Sequence, residues 1–169
     1  MDKINTFHTR TTFNLDRLDN AVYLAVATFL VIANWHSVHW WRFTGAFLWP
    51  DLVGTFPGMY WYYSRAKSEP RVIPRIIHVL YNTGHSFAVN CVVVAIWYYV
   101  TGSLEWAMLA IPIHLWGDRA IFGNTYKPFA LAFEPVAHPA FQQFIYQYGH
   151  AEQSAGKRET RPAVARTSH

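Results

Sequence analysis

The sequence predicts an all-α protein, a four-helix transmembrane bundle with both termini cytoplasmic, and three observations carry that expectation. Only 14% of the residues are charged while 52% are hydrophobic and 18% aromatic. A soluble domain carries about 25% charged residues, so this chain is short of groups with which to face water. Uncharged runs of bilayer length recur along it. The connections between those runs alternate between rich and poor in Lys and Arg, as the positive-inside rule requires. A length of 169 residues fits a single domain. The one cysteine, Cys91, excludes an internal disulfide framework and a cysteine-built zinc site.

Residues 1–20 are expected as a cytoplasmic N-terminal segment and residues 21–127 as the membrane domain. The first span, residues 21–41, has no Asp, Glu, Lys or Arg and at 1.5 Å per residue reaches roughly 30 Å, the thickness of a bilayer core. It is too long for a signal peptide, and Trp40 and Trp41 stand where small residues would be needed for cleavage. The second span, residues 45–63, contains Asp51 as its only formal charge. Pro50, Gly54, Pro57 and Gly58 interrupt it, which predicts a kinked or partly unwound helix. The third, residues 76–100, is uncharged and ends at the turn Thr101-Gly102-Ser103. The fourth, residues 105–122, holds Pro112 inside it and Asp118 and Arg119 near its end.

With the N-terminus inside, Lys3, Arg10 and Arg17 precede the first span, and Arg65, Lys67, Arg71 and Arg75 fill the second connection. Lys127, Lys157, Arg158, Arg161 and Arg166 follow the fourth span, which leaves Arg42 as the basic residue of the outer connections. Trp35, Trp40, Trp41 and Trp49 cluster at the outer boundary and Trp61, Tyr62 and Tyr63 at the inner one, as in aromatic belts. Residues 128–150 are aromatic but broken by Pro128, Pro135 and Pro139, and are expected to lie along the inner interface. Residues 151–169 read as a disordered basic tail. Such a tail beside a membrane meets anionic lipid headgroups, so the positive charge implies lipid partners rather than nucleic acid.

Ionisable groups inside a bilayer are costly and mark functional sites by default. His78, Asn82 and His85 fall at i, i+4 and i+7 and share a face of the third span, and His114 and Asp118 share a face of the fourth. Counted from opposite ends, His85 and His114 both lie roughly 14 Å deep. Neighbouring antiparallel helices therefore bring His85 to His114, with Asp118 approaching Asn82 or His78. Arg119 either snorkels to the inner interface or pairs with Asp118. His36 and His39 near the outer boundary are expected to be interfacial. Asp51, after Pro50 at an expected helix start, either caps freed amides or serves the site. The ordinary alternative for the inner cluster is polar glue between two helices, yet three His, an Asp and an Arg exceed what packing requires.

The pattern Pro50-Asp51, Tyr81-Asn82-x-x-His85 and His114-x-x-x-Asp118-Arg119 resembles a family of small bacterial integral membrane proteins catalogued as a domain of unknown function. The resemblance covers about residues 45–128 and implies a compact four-helix membrane architecture in the bacterial inner membrane. It implies no reaction. In that family a glycine and a lysine follow the Asp-Arg pair, a spacing that Gly123 and Lys127 approximate.

Three functions fit the residues. The first is a metal-dependent membrane enzyme in which His85, His114 and Asp118, with His78, bind Zn or Fe, supported by Tyr81, Asn82 and Arg119. Zinc would serve hydrolysis and iron oxidation of a lipid-like or other apolar substrate. The second is a metal-free cyclase or isomerase of a prenyl or polyketide-like substrate, with Asp51 or Asp118 as acid and a histidine as base. The third is a non-catalytic accessory subunit or haem carrier with His85 and His114 as axial ligands.

Overall fold

The computed structural model describes residues 10–65, 73–127 and 139–159, the side chains of 141 and 152–159 excepted. The N-terminal Lys3, the connection bearing Lys67 and Arg71, Pro128, Pro135 and the last ten residues lie outside this set. Among the described residues the protein is all-helical, with seven α-helices and no strand. The chain divides into two units, Met1–Phe133 and Glu134–His169.

Within the first unit the helices are α1 (Arg10–Ala33), α2 (Trp40–Val53), α3 (Thr55–Ser64), α4 (Arg75–Gly84), α5 (Phe87–Thr101) and α6 (Ala110–Gly117). One-turn 3-10 segments, Trp35–Ser37 and Trp106–Leu109, precede α2 and α6, and Asp118–Phe122 winds as a π-helical turn after α6. The second unit is represented by α7 (Pro139–Glu159). Proline suits its first position, because the missing N–H would have no helical partner there. α7 runs on to Glu159, so residues 151–159 of the expected basic tail are helical, and the rest of that tail lies outside the described residues.

Among the described residues no single helix is long and apolar enough to cross a membrane, and one bent pair, α4 with α5, passes that test at an angle of 58°. Each expected span therefore differs from one continuous helix. The first ends early: Asn34 turns its side chain back to donate to the Leu30 carbonyl at 2.9 Å, and the chain enters a 3-10 turn. The first half of α1 carries Arg10, Asp16, Arg17 and Asp19. The second breaks at Gly54, between α2 and α3, where the sequence places its glycine and prolines. The third breaks at His85 and Ser86, where no proline warns of it. Ser86 caps α5 by accepting from the Val89 N–H at 3.5 Å. The buried Asn90 amide donates to the carbonyl of Gly84 at 2.6 Å, an acceptor that the break releases, and to that of Ser86 at 2.9 Å, which also accepts from the Asn90 backbone N–H.

Side-chain pairings give the directions of the passes. Arg17 of α1 donates to the carbonyls of Ala120 and Ile121, and Tyr23 stacks on Trp116, so α1 runs antiparallel to α6. Along α2, Arg42 pairs with Glu105 at 2.6 Å and Phe47 meets His114, so α2 runs parallel to α6. The packed centre holds Ala46, Ala110, Ile111 and Leu115, and a second cluster holds Ile73, Ile77 and Tyr81.

Two glycines fix how closely the second pass crosses α4. A Cβ on Gly54 would collide with the Tyr81 Cα, and one on Gly84 would lie 2.8 Å from the Pro50 carbonyl oxygen. Backbone touches backbone at this crossing, and that contact brings Asp51 up to His85. We predict that Gly54→Ala and Gly84→Ala each overpack the crossing by about 1–3 kcal/mol, lowering the melting midpoint by about 3–10 °C. Gly45→Ala, with nothing within 4 Å of the added carbon, leaves it unchanged or raised. Equal midpoints for the three variants would contradict the close crossing.

Candidate metal centre

The last turn of α2, the break after α4, the middle of α6 and the π turn meet at one point. Asp51 sits in the last turn of α2. No helix begins at that position, so its carboxylate has no freed amides to cap, and α3 starts without a side-chain cap. His85 ends α4 at φ −96°, ψ 11°, outside helical geometry. His114 lies on α6 and Asp118 opens the π turn one helical turn later. Single π turns of this kind occur often at functional sites.

The four side chains face one another through their terminal atoms. His85 Nε2 lies 3.3 Å from Asp118 Oδ2 and 3.6 Å from Asp51 Oδ1. His114 Nε2 lies 3.8 Å from Asp51 Oδ1 and 3.9 Å from Asp118 Oδ2. Ligand atoms of Asp51, His85 and His114 all fall within 4.8 Å of one another, both histidines are buried, and this group is able to hold a metal ion. Neither Nε2 makes a hydrogen bond within the chain.

The surroundings fix the imidazoles. His85 Nδ1 lies 3.0 Å from the Tyr81 carbonyl oxygen. A carbonyl only accepts, so Nδ1 carries the proton and Nε2 is turned to the two carboxylates. Tyr81 stacks on the same ring, centroids 4.0 Å apart and planes 12° apart. Phe47 meets the His114 ring edge-on at 5.0 Å. An Nδ1-protonated imidazole aimed at carboxylates needs something positive between them, either a second proton or a cation.

The structure sorts the residues singled out by sequence as follows. His85, His114, Asp118 and Asp51 converge, but the group able to hold a metal is Asp51, His85 and His114; of the expected ligands, Asp118 lies beside that group and His78 is replaced in it by Asp51. His78 is buried on α4 but outside that group, because the break at His85 ends the helical register on which their shared face depended. Asn82 does not reach Asp118. Its amide donates to the Lys127 carbonyl at 2.9 Å and accepts from the Lys127 N–H at 2.7 Å. Arg119 does not pair with Asp118: its guanidinium lies 4.3 Å from the Phe87 ring centroid and 5.7 Å from that of Tyr126. His36 and His39 are exposed in the turn between α1 and α2.

Lys127 is the neighbour that sequence reasoning undervalued. Clamped by Asn82, it places its ammonium 5.2 Å from the Tyr81 ring centroid. Burial pushes that ammonium below the usual lysine range while the Asp118 carboxylate acts in the opposite direction. The spacing of glycine and lysine after Asp118-Arg119 was the available signal.

The chain matches no protein-family model, no curated protein and no solved structure.

The paired hydrogen bonds between Asn82 and Lys127 hold the segment after the π turn against α4. Asn82→Leu removes both, at a local cost of about 1–3 kcal/mol, and hydrogen exchange at the Lys127 amide is expected to accelerate by about tenfold or more. Unchanged exchange there would show that another contact holds the segment.

Proposed function

We propose that this is a small integral membrane enzyme in which Asp51, His85 and His114, with Asp118, hold one divalent metal ion that acts on a lipid-like or other apolar substrate. The observation that carries the reading is the meeting of Asp51 with the two buried histidines, the ligand atoms of the three all within 4.8 Å of one another. Ligands about 2.0–2.1 Å from a tetrahedral zinc stand about 3.3–3.4 Å from one another, and the edges from Asp51 to His85 and His114 are 3.6 and 3.8 Å. Two imidazoles and one carboxylate, Asp51, form a set suited to Zn or to Fe(II) with open positions. Asp118 then completes the site or moves a proton at its open side. Such an ion supplies Lewis acidity or, as iron, redox chemistry. The chain supplies the rest: Tyr81 fixes the His85 tautomer and ring plane, Phe47 holds the His114 ring, and Asn82 holds Lys127 beside the cluster.

The membrane part of this reading is supported by the outward faces. Val22, Val26, Phe29 and Ile32 on α1, and Val92, Ile96, Tyr99 and Val100 on α5, are all more than half exposed. Apolar surface of this extent calls for a partner, and the charge-poor composition calls for lipid. The bent third pass is compatible with a bilayer because Asn90 satisfies the carbonyls at its break inside the protein. We extend the motif resemblance to the same conclusion, with both termini cytoplasmic in a bacterial inner membrane.

The metal-free acid–base reading draws on the same geometry, since a doubly protonated His85 between two carboxylates would also supply the missing positive charge. The haem reading is disfavoured, because carboxylates lying 3.3–3.9 Å from both Nε2 atoms occupy the space a macrocycle would need.

Elemental analysis of the full chain, purified without chelator, separates these readings. The expected result is about one Zn or Fe per chain, lost in Asp51→Ala and in His114→Ala and retained in His78→Ala. Wild-type protein without bound metal would overturn the metal reading in favour of acid–base chemistry, and a haem absorption band would overturn both.

A further inference from the structure

Arg119 and the groove beside it are not used by the metal cluster. The guanidinium is partly buried and lies against the rings of Phe87 and Tyr126. Among the described residues it has no hydrogen-bond or ion-pair partner. Five N–H donors in a rigid fork, held in place by two rings and with no acceptor among the described residues, form half of a bidentate pair with an oxyanion. Within an apolar bundle, an arginine without a counter-charge is expensive.

Phe87 is also part of the wall of an open groove of about 780 Å³ between α5 and the segment from Leu104 to Leu115, lined almost wholly by apolar side chains. Phe87 is common to the groove wall and to the Arg119 contact, so the guanidinium stands at that end of the groove. Along α5 the groove extends from Phe87 to Tyr98, roughly 16 Å at 1.5 Å per residue. The far end holds Glu105, whose Oε1 is taken by Arg42 and whose Oε2 is buried without a hydrogen bond. An anion is repelled there and attracted at the other end, so an amphiphile has one favourable orientation.

We propose that this groove binds a long-chain carboxylate, its chain between α5 and α6 and its head paired with Arg119. A single guanidinium matches a monoanion in charge and a carboxylate in geometry, whereas a dianionic phosphate monoester would call for a second cation. The head lies at the end nearest the metal cluster, because Arg119 follows Asp118 directly. That the bound acid is the acyl product of hydrolysis at the cluster rests on the function proposed above; the binding itself does not.

Cys91 lines the groove, is exposed and is the only cysteine in the chain, so its reaction with a maleimide reports occupancy. With the full chain in phosphatidylcholine nanodiscs, palmitate is expected to slow labelling saturably, by about fivefold or more, and hexadecanol at the same concentration is not. Arg119→Gln raises the half-protecting palmitate concentration by about tenfold, equivalent to 1.4 kcal/mol, and Arg119→Lys by less. Ala95→Trp, which fills the groove and leaves Arg119 in place, abolishes the palmitate effect. Equal protection by hexadecanol, or palmitate protection indifferent to Arg119→Gln, would overturn the carboxylate site in favour of bulk lipid in the groove. Stronger protection by hexadecyl phosphate would overturn it in favour of a phosphate site. Metal content measured on the same samples tests the metal reading separately, since neither Arg119 nor Ala95 is a ligand of the cluster.

Discussion

Imidazole and carboxylate groups taken into an apolar bundle must satisfy one another, because little else is available to do so. Asp51, His85, His114 and Asp118 meet on that condition, their terminal atoms 3.3–3.9 Å apart between imidazole and carboxylate. The meeting depends on two glycines. With the bare backbone of Gly54 against Tyr81 and that of Gly84 against Pro50, the second pass lies close enough to the third for Asp51 to reach His85. A side chain at either glycine would separate the two halves of the cluster before any ligand was altered.

The interruptions in the helices and the position of the cluster have a common cause. Gly54 interrupts the second pass, His85 and Ser86 the third, and the π turn the fourth, and each interruption borders the cluster. A straight helix points successive side chains around a cylinder; a broken one can turn a ligand, a carbonyl and a cap toward a single point. His85 illustrates this: at the end of α4 it turns Nδ1 to the Tyr81 carbonyl and Nε2 to the carboxylates. The Gly84 carbonyl released by the same break is taken by the Asn90 amide. Arg119, directly after Asp118, lies against the rings of Phe87 and Tyr126, and Phe87 also lines the apolar groove.

Much of this was legible in the residues. Helical class follows from uncharged runs bounded by turns, and the break near Gly54 from its glycine and prolines. The convergence of His85 with His114 and Asp118 follows from matching positions on antiparallel passes. What the sequence concealed is non-local. The break at His85 carries no proline, and its stabilising contact comes from Asn90, a turn into the next helix. Treating residues 76–100 as continuous kept His78 on the ligand face and sent Asn82 toward Asp118, and both expectations failed with that helix. Asp51 was left between capping and the site because its access to His85 depends on the close approach at Gly54 and Gly84 rather than on any group with chemistry of its own. Lys127 was hidden by distance along the chain: 45 residues separate it from the Asn82 side chain that holds it.

The central claim is that His85, His114 and Asp51 hold a metal ion with Asp118 beside it. X-ray absorption at the edge of the metal found in the purified full-length protein tests it most directly. The account predicts a shell of nitrogen and oxygen at about 2.0–2.2 Å, with multiple scattering from two imidazoles that falls to one in His114→Ala. A shell of oxygen alone, or one unchanged by that substitution, would contradict it.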